Sequence, residues 1–252
     1  MVLKYLCLDV ETVPNQALPA ECVPKFDESQ VKTGNLKDPL KIREKIEEER
    51  ARFDAEINKA MSTDPDLCQV VCVVAYESAS LEQHVWYASS LDEETALLID
   101  VWDRIRACYN DGVPLVTFNG MSFDVPVLLR RAMIEDIVVA PGMARQLLAR
   151  QENNHHHYDL MQLLACRGPF GTRYRGLDYY LQRFGIGAKL TGWDGSRVYP
   201  AWIEGRHAEI IEYCGQDVRQ TAKLYERVAP WLIAPRTTGE LAKAKGQNPW
   251  RS

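Results

Sequence analysis

The chain has 252 residues, 46% of them hydrophobic and 26% charged, with a formal net charge of −5. That length can bury a full core, no apolar run is long enough to span a bilayer, and the acidic balance excludes broad electrostatic attraction to nucleic acid while leaving contact with phosphates through metal ions and a local basic rim. The seven cysteines, at 7, 22, 68, 72, 108, 166 and 214, contain no Cys-x-x-Cys pair, so neither a zinc knuckle nor a disulfide framework is expected. No basic, then apolar, then small-residue leader pattern opens the sequence, and buried thiols in a reducing cytoplasm are the expectation.

Residues 2–10 read as a first strand, with Pro14 as a breaker beyond it. Residues 14–36 read as irregular, punctuated by Pro19, Pro24 and Gly34. Asp38 or Pro39 then opens a polar helix to about Met61, with Ile42, Ile46, Phe53 and Ile57 at helical spacing and charges of both signs. It reads as a surface helix packed by one thin stripe, the alternative being a lid or substrate-guiding helix. Gln69–Tyr76 is a nearly continuous β-branched run, a buried strand. Gln83–Tyr87 is its hairpin partner.

Asp92-Glu93-Glu94 begins a helix through Leu97, Leu98, Val101, Trp102 and Ile105, with its acids at the end the helix dipole favours. Gly112 and Pro114 stop it, and Leu115–Phe118 forms a fourth short strand. A helix follows from Phe123 to about Met133. Residues 134–156 carry little periodicity, and His155, His156 and His157 read as a solvated loop, because adjacent residues on a regular element point in different directions and cannot converge on one metal. Asp159 is a good N-cap for Leu160–Ala165. Gly168-Pro169-Phe170-Gly171 breaks the chain, and Leu177 starts a helix that ends near Gly185. Glu204 or His207 opens a last helix reaching Val228, stopped by Pro230, and residues 235–252 are a polar tail. Strands first, then interleaved helices, give an α/β pattern with a mixed sheet and no internal repeat.

Three positions carry the chemistry. Asp9 and Glu11 alternate on one face of the first strand, and a divalent cation held by hard oxygen ligands, Mg²⁺ or Mn²⁺, would relieve their repulsion. Asp124 opens a helix just after a strand, where a first-turn acid satisfied by backbone N–H groups is the plain alternative. Tyr213 and Asp217 lie four apart on one helix face. The plain alternative for Asp217 is a surface acid paired with Arg219 or Lys223. Gly215 between them costs about 1 kcal/mol of helix stability against Ala, a cost that fits close approach of another backbone.

The ordered set Asp9-x-Glu11, Asn119-x-x-x-Phe123-Asp124 and Tyr213-x-x-x-Asp217 resembles the three motifs of the DEDD 3′→5′ exonucleases. The closest likeness is to stand-alone predicted exonucleases related to the proofreading domain of family B DNA polymerases. His157-Tyr158-Asp159-Leu160 and the loop from Lys189 to Ser196 also resemble that branch. The likeness covers roughly residues 3–228, with a tyrosine-type third motif, since position 212 is Glu and not His. It implies a ribonuclease H-like mixed β-sheet flanked by α-helices, an exonuclease domain over residues 1–234, and a helical insertion at about 27–62. It implies two Mg²⁺ or Mn²⁺ ions bound by Asp9, Glu11, Asp124 and Asp217, with Asp9 bridging, and Tyr213 orienting the attacking water. It also implies substrate contacts at Asn119, Phe123 and Lys189. Phe123 has core packing as its alternative role, and Arg130, Arg131, Arg173, Arg175 and Arg197 are further candidates for phosphate contacts.

The activity so implied is release of nucleoside monophosphates from 3′ ends of single-stranded DNA, with a replication or repair protein as a possible partner and no membrane. The alternatives are an exoribonuclease on the same site, since the 2′-OH is read by few contacts, and a nucleic-acid-binding module without turnover.

Overall fold

β1 (Leu6–Pro14) runs through both acids and reaches the proline, so Asp9 and Glu11 sit inside the strand rather than at its tip. The structure is a computed structural model and describes residues 4–149, 154–165, 173–188 and 192–232. β1 is the middle strand of a five-stranded sheet with β2 (Cys68–Glu77), β3 (Glu82–Tyr87), β4 (Leu115–Thr117) and β5 (His157–Asp159), in the order β3-β2-β1-β4-β5. The β1–β2 and β2–β3 pairs are antiparallel, whereas β1–β4 and β4–β5 are parallel.

Helices cover both faces, α1 to α8 being Pro39–Thr63, Glu94–Asn110, Asp124–Ile134, Pro141–Leu147, Leu160–Leu164, Leu177–Arg183, Val198–Ile203 and His207–Leu232. Strand alternation divides the core accordingly. Leu6, Leu8 and Val10 pack with α2, α3 and α4 through Leu98, Val101, Leu128 and Leu147. Tyr5, Cys7 and Val13 pack with α6, α7 and α8 through Leu181, Val198, Cys214 and Leu224. Asp9 and Glu11 fall on this second face, between Cys7 and Val13.

A β-bulge sharpens the geometry beside them. Glu11 pairs with Cys72 and Thr12 with Val70, so Val71 is the extra residue on β2. Val71 and Cys72 therefore both face α8, breaking the strict alternation of the run.

Several expected boundaries move. The 134–156 stretch contains α4, and β5 follows it, so the sheet has five strands and not four. His155 is exposed, but His157 is wholly buried on β5 and does not belong to a solvated loop. α8 passes through Pro230 to Leu232, because a proline in the last turn removes only one of the final backbone hydrogen bonds. α1 has its N-cap at Asp38, whose Oδ1 accepts from Leu40 N–H at 2.9 Å. Its expected stripe is half-buried, and its end docks by β1, where Thr12 Oγ1 donates to the Ser62 carbonyl at 2.5 Å. Six described cysteines are free thiols. Among the described residues no helix is long and apolar enough to cross a membrane. Gly168-Pro169-Phe170-Gly171, Cys166, Lys189 and residues 235–252 lie outside the described residues.

Candidate active site

β4 pairs with β1 only at Leu6 and Cys7 and then leaves the sheet after Thr117. The edge of β1 beyond Cys7 is thus uncovered on that side, at the carboxyl end of two parallel strands, where open α/β sheets form crevices. Asp124, the first residue of α3, enters this gap. The backbone N–H of Val10 faces its carboxylate and favours the charged form. Burial and the nearby charge of Asp9 dominate, however, and hold the Asp124 carboxyl well above the usual carboxylate range.

α8 closes the crevice from above. Two thiols set its height: Cys214 Sγ lies 3.5 Å from the Asp9 carbonyl, and Cys7 Sγ lies 3.4 Å from the Val218 carbonyl. This seat turns Tyr213 and Asp217 toward β1. Asp217 is 6% exposed and Asp124 is 3% exposed, so neither is a surface acid. Arg219, which with Lys223 is the partner in the plain alternative for Asp217, pairs with Glu212 at 2.5 Å and donates to Gln83 Oε1 at 3.0 Å. Gly215 faces the ends of the Arg219 and Gln83 side chains, not a neighbouring backbone.

The Tyr213 phenol is pushed above its ordinary range, first by burial and then by Glu11, Asp217 and Asp9. It is a neutral hydrogen-bonding group at neutral pH, not a base. Donor atoms of Asp9, Glu11 and Cys214 lie within 4.8 Å of one another. Burial raises the Cys214 thiol, which leaves the carboxylates as the charged ligands of that cluster. Asp124 Oδ1 is buried with no hydrogen-bond partner among the described residues. An orphaned carboxylate oxygen beside like charges, in a set of hard oxygen donors, fits a divalent cation of the Mg²⁺ or Mn²⁺ kind.

The other expected positions divide. Asn119 sits in the turn before α3 with φ +71°, and Phe123 is half-buried against the α2/α3 core. Arg131 is no phosphate ligand: it is buried and bonded to Glu94 Oε2 at 2.6 Å. Arg130 pairs with Asp66, while Arg173, Arg175 and Arg197 are exposed. Two residues near the site lie in the family-like stretches but had no site role assigned from the sequence. Trp193 places its ring 5.5 Å from that of Tyr213. Asp159, given the role of a helix cap and a place in a family-like stretch, also reaches the turn before α3, a contact that nothing local signalled.

A mixed five-stranded sheet flanked on both faces by helices is a ribonuclease H-like α/β fold. Residues 64–234 match the family described as predicted 3′-5′ exonucleases related to the exonuclease domain of PolB, and the chain belongs to that family. The matched segment contains Asp124, Tyr213 and Asp217 and begins after β1. Among solved structures, the family B DNA polymerase of the hyperthermophilic archaeon Pyrobaculum calidifontis is similar, with a TM-score of 0.55 and 20% identity over 90% of this chain. That overlap is 25% of the polymerase chain, so this protein spans about a quarter of its length, and the likeness bears on the fold. No curated protein sequence matches significantly.

Proposed function

We propose that this protein is a divalent-metal-dependent 3′→5′ exonuclease that hydrolyses phosphodiester bonds at the 3′ ends of single-stranded DNA and releases nucleoside monophosphates. One observation supports the reading: the donor atoms of Asp9 and Glu11 cluster on the central strand, within charge reach of Asp124 on one side and of Tyr213, itself beside Asp217, on the other, in a chain of an exonuclease family.

Asp9, on the central strand between the other acids, would be shared by two ions; Glu11 and Asp217 would complete one site and Asp124 the other. Bound Mg²⁺ or Mn²⁺ supplies an activated water and charge neutralisation at the leaving oxygen. The protein's own groups do the positioning. Tyr213 keeps its proton, so its hydroxyl donates a hydrogen bond that orients the attacking water. Asn119 and the exposed part of Phe123 flank the terminal nucleotide, and Lys189 meets a phosphate. The buried thiols of Cys7 and Cys214 seat α8 so that its two functional side chains reach β1.

The test is degradation of a 5′-labelled single-stranded DNA oligonucleotide with Mg²⁺, Mn²⁺ or EDTA, beside Asp9→Ala and a matched RNA. A metal-dependent ladder shortening from the 3′ end, absent in the variant, is expected. Full activity in Asp9→Ala sinks the site, and a ladder on RNA alone reassigns the substrate.

A further inference from the structure

Asp159 does more than a helix cap requires. Its Oδ1 accepts from Met161 N–H at 3.0 Å and Gln162 N–H at 3.4 Å, which caps α5. The same oxygen accepts from Asn119 N–H at 2.9 Å, and Oδ2 accepts from Met121 N–H at 3.0 Å. Both oxygens of a side chain that is 0% exposed are thus committed to backbone amides of two separate segments. Capping explains one of them.

The second segment is the turn that launches Asp124. Asn119 holds the left-handed conformation at φ +71°, and its carbonyl accepts from Ser122 and Phe123 N–H at 3.0 and 3.1 Å. A Cβ on Gly120 would overlap the Thr117 side chain, so the backbone there lies tight against β4. The Gly120 carbonyl then accepts from Val125 N–H at 2.9 Å, inside the first turn of α3. From the same face of β5, His157 Nε2 meets Thr117 Oγ1 at 2.8 Å. β5 therefore sends both of its buried polar side chains to the β4–α3 connection. Asp124 Oδ1 has no hydrogen-bond partner among the described residues, and apart from the Val10 N–H facing its carboxylate the placement of Asp124 rests on the backbone behind it.

We infer that Asp159 is a positioning residue for the candidate metal site, holding the 119–121 turn so that Asp124 faces Asp9. The inference rests on the nuclease reading for its effect on catalysis, but its first readout is metal binding. Partners that orient a metal ligand from behind are worth about 10–100-fold in affinity.

Two variants separate capping from clamping. Asp159→Asn replaces one accepting oxygen with an amide that cannot accept from the turn. Asp159→Ser keeps an N-cap hydroxyl but is too short to reach residues 119 and 121. Mn²⁺ binding to the full chain is measured by calorimetry, beside Leu98→Ala, a core truncation on α2 that lowers the melting temperature without touching the turn. Both Asp159 variants should bind Mn²⁺ about 10-fold or more weakly, with half-saturating Mn²⁺ for cleavage rising alike and KM for oligonucleotide changing less. Leu98→Ala should keep the wild-type Mn²⁺ constant. Wild-type Mn²⁺ binding in either folded Asp159 variant overturns the inference, as does equal weakening in Leu98→Ala or a wild type that binds no Mn²⁺. A wild type that binds Mn²⁺ with the expected loss in the variants, yet cuts neither DNA nor RNA, supports the clamp and defeats the nuclease reading alone.

Discussion

Cys214 Sγ on α8 lies 3.5 Å from the carbonyl oxygen of Asp9 on β1, and this contact fixes how closely the helix bearing Tyr213 and Asp217 approaches the strand bearing Asp9 and Glu11. A sulfhydryl is small enough for that approach, and burial keeps it protonated. Cys214→Leu should push α8 outward: about 1–3 kcal/mol of overpacking strain, and a fall in kcat of about 100-fold, the scale of a 1 Å misplacement. Cys214→Ala should keep the spacing, with activity within a few-fold of wild type. Steady-state kinetics on a labelled oligonucleotide, with denaturant melts of both variants, compare the two. Equal activity in Cys214→Leu removes the argument.

Asp124 is buried beside the like charge of Asp9, and both disfavour its ionised form. Its carboxyl is raised by burial and by Asp9, so between the unfolded and folded pKa values the folded chain binds more protons than the unfolded one. By linkage, its contribution makes metal-free stability fall as pH rises above the ordinary carboxylate range near 4. Asp124→Asn should therefore raise metal-free stability at pH 8, by roughly 1–3 kcal/mol, the cost of an uncompensated buried polar atom, while abolishing cleavage. Melting curves with EDTA from pH 5 to 8 should show the wild type declining and the variant flatter. A variant less stable than wild type at pH 8 contradicts this account.

The sheet's centre is legible in the sequence because β1 and β2 are long apolar runs, and α2, α3 and α8 because their stripes repeat at helical spacing. β5 is not. His157-Tyr158-Asp159 carries two polar residues whose burial depends in part on Thr117 and Asn119, each 40 positions away. Arg131 misleads for the same reason, since its partner Glu94 is 37 positions distant. The acids can be picked out by their order along the chain. Their convergence depends on the rotation of α8 and the early exit of β4, which are matters of tertiary packing.

His157 gives the candidate site a second pH dependence of opposite sign. Its Nδ1 faces the Leu147 carbonyl at 2.8 Å, so Nδ1 carries the proton and donates. Burial depresses the ring's pKa, and the neutral Nε2 accepts from Thr117 Oγ1. A base with a depressed folded pKa loses stability as pH falls below its unfolded value, near 6.5, because the unfolded chain takes up the proton first. His157→Gln should remove that dependence. Measured with EDTA at pH 5.5 and 7.5, the difference in unfolding free energy between wild type and His157→Gln should shift in favour of the wild type at pH 7.5, on top of the Asp124 decline that both proteins share. Identical slopes would show that His157 does not titrate on unfolding.

A buried charge pair locks the opposite face. Glu94 Oε1 accepts from Arg131 Nε and Val70 N–H, both at 2.8 Å, and Oε2 accepts from Arg131 Nη2 at 2.6 Å. Arg131 Nη2 also reaches Glu135 Oε1 at 3.1 Å. Both members of the central pair are 2% exposed, and they tie α2 to α3 and to β2 just before the bulge at Val71. Removing one member leaves the other charge buried, a cost of about 3–5 kcal/mol. Glu94→Ala should destabilise by that amount, and Glu94→Ala with Arg131→Met should recover much of it, because no buried charge remains. Urea unfolding of the single and double variants measures the recovery. Neither residue approaches the acids, so kcat at 20 °C should stay near wild type in whichever variant remains folded. A double variant no more stable than Glu94→Ala would mean that the lock acts through its geometry, chiefly the bond to Val70, rather than by pairing a buried charge.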